Sequence, residues 1–263
     1  MNFRFFSFFF FLLLSTITKA QILHADGFGR PVDSTHHFKG ALDAGMSINK
    51  QNSVIVSFDA KGDLSYWHLN NVLICTNAYA LFSTGSKSLI NGGFSHLRYR
   101  MHIHKKLQPE FFAQYQLDNI RGMKERLLAG SNLRYKIVEN KNAAIFASLG
   151  AMYEFEKWDY SGIRPDATPK PDTIRNHFIK LNSYVSYRQK FNENVNMNLI
   201  FYFQSRPDSY FIVPRVSAEA HFNFKVSKHI ALVLHANIFY DAAPPVPIYK
   251  LYYTFINRFV VTF

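Results

Sequence analysis

Residues His96–His104 read HLRYRMHIH, with His96, Arg98, Arg100, His102 and His104 at even positions and Leu97, Tyr99, Met101 and Ile103 between them. On a strand, successive side chains point to opposite faces, so the basic residues share one face and the apolar ones the other. Three chemistries could use such a row. His102 and His104, two residues apart, could both reach one metal ion. His36–His37 in the preceding segment, and His221 and His235 on distant strands, are further candidate ligands. Neither an HExxH pair nor a thiolate pair accompanies them, and Cys75 is the single cysteine, so no metal set is assigned. A nucleic-acid platform puts cations and aromatics on the same face, for phosphates and base stacking. Tyr99 lies opposite Arg98 and Arg100, so no nucleic-acid partner is expected. Nucleophilic catalysis needs a serine within hydrogen-bond reach of its base. Ser95 and His96 fall on opposite faces and no GxSxG elbow occurs. No catalytic residue and no cofactor is therefore expected.

The row needs an element with two different surroundings, and the same alternation runs through most of the chain. Leu42, Ala44, Met46 and Ile48 interleave with Asp43, Gly45, Ser47 and Asn49. Phe111, Ala113, Tyr115 and Leu117 oppose Glu110, Gln114, Gln116 and Asp118. Ile145 to Phe155, Ile179 to Tyr187, Val195 to Phe203, Val216 to Phe224 and Ile230 to Ile238 repeat the pattern. None of these segments shows the 3.6-residue period of a helix. About twelve strands are expected, the last from about Leu251 to Phe263. One strand, Val72 to Ser83, has no clear facing, which leaves Cys75 unplaced. Many segments run to ten or more residues, longer than the strands of soluble sandwiches and long enough to cross a bilayer when tilted.

Composition agrees. Among 263 residues are 27 Phe and 15 Tyr, too many for an ordinary exported soluble domain, and the formal net charge is +12. Arg4, an apolar run from Phe5 to Leu14, and small residues at Thr18 and Ala20 have the order of a secretory signal peptide, with cleavage before Gln21. One cysteine excludes an internal disulfide framework. The reading is an all-β, closed antiparallel transmembrane β-barrel of about twelve strands: residues 1–20 a signal peptide, 21–37 a periplasmic lead, and 38–263 the barrel in the outer membrane. Short links such as Glu139 to Asn142 alternate with long ones rich in Pro or Gly, Lys157 to Thr173 and Asp241 to Tyr249, which suits periplasmic turns and external loops. The terminal Phe263 on an alternating strand resembles the signal read by the outer-membrane assembly machinery. Expected partners are that machinery, outer-membrane lipids, and a small polar or ionic solute as candidate occupant.

Parity also collects charge. Arg98, Arg100, Glu110, Asp118, Arg126, Arg134, Glu154, Arg188, Arg215 and Glu219 all fall on the polar face, with Asp59, Lys61, Asp63, Glu156, Lys180 and Arg258. Facing lipid they would be untenable, since a midplane Arg costs about 2–4 kcal/mol. Facing inward they form either a salt-bridged network filling a narrow barrel or the lining of a small aqueous pore. A ladder pairing Arg98 and Arg100 with the carboxylates of the next strand, Glu110 and Asp118, is expected. The role is then structural, in the envelope or its stress response, or narrow solute passage. The alternative is an outer-membrane lipid-modifying hydrolase.

The stretch GGFSHLRYRMHIHKKLQPEFFAQYQLDNIRGMKERLLAGSNLRYKI, followed by LGAMYEFEKWD, resembles the salt-induced outer-membrane protein family, a domain of unknown function. The likeness is densest from Gly92 to Asp159 and includes His96 to Tyr99, Phe112 to Gln116, Gly122, Arg126 and Glu154. It implies an outer-membrane barrel and carries no catalytic or ligand residue.

Overall fold

The computed structural model describes residues 37–50, 53–85, 87–164, 167–168, 170, 172–209, 211–227 and 230–261. The expected signal peptide, the lead up to residue 36 and Phe263 lie outside them. The described chain forms twelve strands: β1 (Phe38–Lys50), β2 (Val54–His68), β3 (Asn71–Thr84), β4 (Lys87–Arg100), β5 (Leu107–Asp118), β6 (Met123–Glu139), β7 (Ala143–Trp158), β8 (Ile174–Lys190), β9 (Val195–Ser205), β10 (Arg215–Lys225), β11 (Ile230–Asp241) and β12 (Leu251–Val261). They make one antiparallel sheet in which every strand pairs with its neighbours in sequence.

The sheet is inside out. Along β5 the pattern alternates strictly from Glu110 to Gln116, with Glu110, Gln114 and Gln116 buried while Phe111 and Tyr115 are exposed. On β4, Arg98 is 1% exposed and its neighbour Leu97 45%. A charged side chain is buried at such a cost only if partners await it. They come from across a concave face: the Tyr184 hydroxyl of β8 donates to Glu110 Oε2 of β5 at 2.6 Å, and Arg215 of β10 reaches Glu154 of β7 at 2.9 Å. The sheet therefore curls around an interior. A mid-wall apolar cluster of Phe112, Leu128, Met152, Tyr184, Ile200 and Tyr202 shares that interior.

Closure is the point of difference from the sequence reading. Among the described residues β1 pairs with β2 and β12 with β11, and no ladder joins β1 to β12. All thirteen residues of β1 are exposed, on both faces. A second difference lies in the opening motif. β4 ends at Arg100, and residues 101–106 form the turn to β5, where His102 adopts a φ of 52°. Met101 and Ile103 do not continue a lipid-facing row, and Ile103 packs against Val72 and Ile74, buried on β3. Cys75 is placed. It pairs in register with Leu64 and Leu97, both exposed, so it lies on the outer face.

Candidate functional site

Two clusters of charge occupy the interior, and the register explains each. Toward the end carrying the long connections, Arg126 of β6 sits directly opposite Glu156 of β7, one rung from Glu154. Its Nε donates to Glu154 Oε1 at 2.7 Å, and Nη1 donates to Gln116 Oε1 at 3.2 Å. From β10, Arg215 Nη1 donates to Glu154 at 2.9 Å and Glu156 at 2.6 Å, while Nε and Nη2 donate to Asp241 Oδ2 at 2.9 and 2.7 Å. Lys180 of β8 ion-pairs with Glu154. Three cations meet three carboxylates, so the cluster is neutral, and it draws on five strands. Every member is less than a tenth exposed.

That end is also covered. Asp118, expected as a rung of the β4–β5 ladder, instead binds Arg121, whose Nε donates to Asp118 Oδ2 at 2.7 Å. Two register shifts, between Gln116 and Asp118 and between Met123 and Glu125, flank the 3₁₀ turn Asn119–Arg121 and re-aim both side chains; such bulges commonly redirect residues in this way. The turn stops at Gly122, whose φ of 79° is left-handed and favours glycine. A Cβ there would also collide with the Asp159 carbonyl. The Arg121 guanidinium lies 5.0 Å from the Phe239 ring and 5.2 Å from Tyr252. Beside it the proline-rich 242–250 connection folds inward, burying Val246 and Ile248 against Met123 and Trp158. Parity could not find this, because the connection has no period.

Toward the short turns the balance changes. Arg100 and Glu110 are paired in register, and Nε donates to Oε1 at 2.6 Å. Arg134 Nη1 donates to Gln108 at 2.6 Å, with its Nε 4.0 Å from Glu110. Arg134 and Arg188 both lie over the Phe146 ring, at 3.4 and 5.6 Å. Arg98 sits opposite Phe112, 5.6 Å from the Tyr184 ring, and its buried Nε and Nη1 make no hydrogen bond. Glu110 thus meets both Arg100 and Arg134, whereas Arg188 is placed by the Phe146 ring. The expected ladder reduces to the single rung Arg100–Glu110. Tilt and bulging bring the partners of the other residues from elsewhere on the wall.

Glu219, the last of the ten, belongs to neither cluster and faces His221 and His235. The charges it was grouped with by parity divide as well. Lys180 and Glu156 join Asp241 in the neutral cluster, whereas Asp59 is exposed and Lys61 and Asp63 are half-buried.

A family model described as "Protein of unknown function, DUF481" matches residues 42–255. The chain belongs to that family. The match carries the unknown-function description and not the salt-induced label implied by the sequence resemblance. No curated protein matches significantly. Among solved structures, one described as "NanC porin structure in rhombohedral crystal form" is 8% identical, covering 84% of this chain and 99% of that one at a TM-score of 0.44. That likeness is too slight to argue from, and the reading of this DUF481 chain rests on its own geometry.

Proposed function

We propose that the chain is an exported, integral outer-membrane barrel whose interior is stoppered by the neutral six-charge cluster. The observation that carries this reading is the inverted polarity: charged residues buried within, and a band of Leu, Tyr, Phe and Ile exposed outside. Water on the outer face would leave that band without a partner, whereas hydrocarbon accepts it. A bare sheet edge is not tolerated in a bilayer, because unpaired backbone groups find no water there. In the membrane β1 and β12 therefore pair and close the barrel, as the sequence reading expects.

The same reading makes the protein structural at rest, and a narrow route for small anions once the stopper is breached. Below the neutral cluster lie Arg98, Arg100 and Arg134 near Glu110, with Arg188 over the Phe146 ring, an arginine-rich stretch that would attract anions. The lipid-hydrolase alternative gains nothing, since Ser95 is exposed while His96 is buried and bonded to Gln114 Oε1 at 3.0 Å.

Planar-bilayer recording of the purified full chain tests the stopper. The parent should be silent, and Arg126→Ala combined with Glu154→Ala should give anion-preferring steps. Steady steps from the parent would overturn the stopper. Membrane insertion is tested separately by single cysteines in a Cys75→Ser background. Those at Tyr99 and Phe201 should react with a lipid-phase probe and those at Arg98 and Glu219 should not; equal labelling of both faces would sink the barrel.

A further inference from the structure

The histidines that looked best placed for a metal in the sequence, His102 and His104, lie in a turn. A different set has come together. β10 and β11 pair so that His221 stands directly opposite His235. Glu219, two residues before His221, projects from the same face of β10. Its Oε1 lies 3.0 Å from His221 Nε2 and 2.9 Å from His235 Nε2. The two rings stack, with centroids 4.1 Å apart and planes within 10° of parallel. All three donor atoms lie within 4.8 Å of one another, and among the described residues no other trio of His, Cys, Asp or Glu does so.

We propose that Glu219, His221 and His235 form a site for a divalent transition metal of the zinc class, built into the interior face of β10 and β11. Zinc–ligand bonds of about 2.0–2.1 Å at tetrahedral angles place neighbouring donor atoms roughly 3.3 Å apart. The carboxylate oxygen already stands within a few tenths of an ångström of that spacing from each imidazole. Only the two ring nitrogens must be drawn together, by small rotations of side chains whose backbones are fixed in register.

The donor set selects the metal. Two imidazoles and one carboxylate suit zinc, copper or nickel, whereas calcium and magnesium require shells of oxygen. One carboxylate offsets half of the ion's charge, so the site needs no second acid. Glu219 and His235 are buried, and the His221 side chain is 29% exposed. This leaves a fourth position open toward the interior, so the bound ion exchanges rather than being sealed in. The surroundings are polar: Asn237 stands opposite Glu219 and Asn198 opposite His221. Arg215, two inward positions along β10, is committed to Glu154, Glu156 and Asp241, so its charge is already balanced. The site does not depend on whether the interior conducts.

The test uses tag-free full-length protein refolded in detergent micelles and titrated calorimetrically with Zn²⁺ alone. One ion per chain should bind. Glu219→Gln, His221→Ala and His235→Ala should each weaken binding by at least about tenfold, since loss of an outer-shell partner alone costs that much. A His102→Ala/His104→Ala double variant should bind as the parent does. Cobalt(II) gives an independent readout, because a four-coordinate ion has an intense visible band that Glu219→Gln should weaken. Heat-modifiable migration on gels shows that each variant is folded, and Glu219→Gln preserves side-chain shape if an alanine variant is not. No saturable binding by the folded parent, or undiminished binding in Glu219→Gln, would overturn the proposal. So would a loss confined to the His102/His104 variant.

Discussion

The wall formed by β4 to β8 and the hairpin of β1 and β2 are built from the same alternation, and only one of them buries its polar face. In the wall, Arg98, Glu110, Arg126 and Glu154 are all at most 2% exposed. In the hairpin, Asp43 of β1 and Lys61 of β2 stand opposite each other, yet Asp43 is exposed and Lys61 half-buried. Alternation decides which way a side chain points and nothing about what meets it there. The wall's charges meet partners from across the interior: Arg215 of β10 reaches Glu154, and Tyr184 of β8 reaches Glu110. In the hairpin the Ser47–Ser57 hydroxyl contact at 2.8 Å is a rung between adjacent strands. Burial of charge within a curled sheet is thus a property of several strands together and not of one hairpin.

The largest contrast should come from removing one member of the neutral cluster. Arg126→Ala strands the buried Glu154 among fewer cations, and breaking a buried pair in this way costs about 3–5 kcal/mol. Lys61→Ala in the hairpin should cost less than about 0.5 kcal/mol. Gel-shift melting of the folded band measures both. Equal loss in the two variants would mean that the hairpin also carries buried charge.

Alanine at a glycine should reproduce the contrast at a smaller scale. Gly122→Ala forces a Cβ into a left-handed turn and against the Asp159 carbonyl, at about 1–3 kcal/mol. At Gly62 of β2 the nearest atom to an added Cβ is Leu42 Cδ1 at 3.6 Å, an ordinary contact, and melting should barely move. If Gly62→Ala proves as costly, the hairpin is packed more tightly in the membrane than on its own.

Twelve strands, their order and the inward parity of the charges were legible because each depends on neighbours two residues away. The partners were not. Arg126, Glu154 and Arg215 come from three strands, and nothing local says that they converge. Asp118 illustrates the failure from the other side: a bulge one residue long sends it to Arg121, a residue that parity never collected. The Pro244–Pro247 connection read as an external loop because it lacks period, yet Val246 and Ile248 within it are buried. His221 and His235 read as candidate ligands on distant strands; the strands are adjacent, and the hairpin register makes the two residues neighbours. The proposed closing of β1 onto β12 would be the least local pairing of all, and no ladder joins them among the described residues.

Arg98 separates the ladder from the clusters. Its guanidinium is buried without a carboxylate hydrogen bond among the described residues, so its burial is not offset as Arg126's is. Arg98→Met keeps the aliphatic volume and removes the buried cation. The folded band should melt no lower than the parent, with a gain of up to about 1 kcal/mol. A loss as large as that of Arg126→Ala would restore the Arg98 rung.

The smallest effect belongs to the long connections, where the comparison passes from buried to wet charge. Asp159, just past β7, accepts from the Ser161 hydroxyl at 2.5 Å and amide at 3.0 Å, and lies 2.9 Å from Lys124 Nζ. Partial burial pushes its carboxyl up, but those hydrogen bonds and the ammonium outweigh it and hold the group below its ordinary value of 3.8. A lowered folded value means that the ionised form favours the folded state. The contribution is therefore complete above the unfolded value and disappears as pH falls through the folded one. Both side chains are about a third exposed, so solvent and salt screen the pair to well under about 1 kcal/mol. Asp159→Asn should melt slightly below the parent at neutral pH, and the two curves should converge as the pH drops below 3.8. Added salt should narrow the neutral-pH gap, whereas it should leave the loss in Arg126→Ala intact, since buried pairs are screened far less. A gap that widens in acid would reverse the sign assigned to Asp159, and a salt-sensitive Arg126→Ala would place the neutral cluster in water.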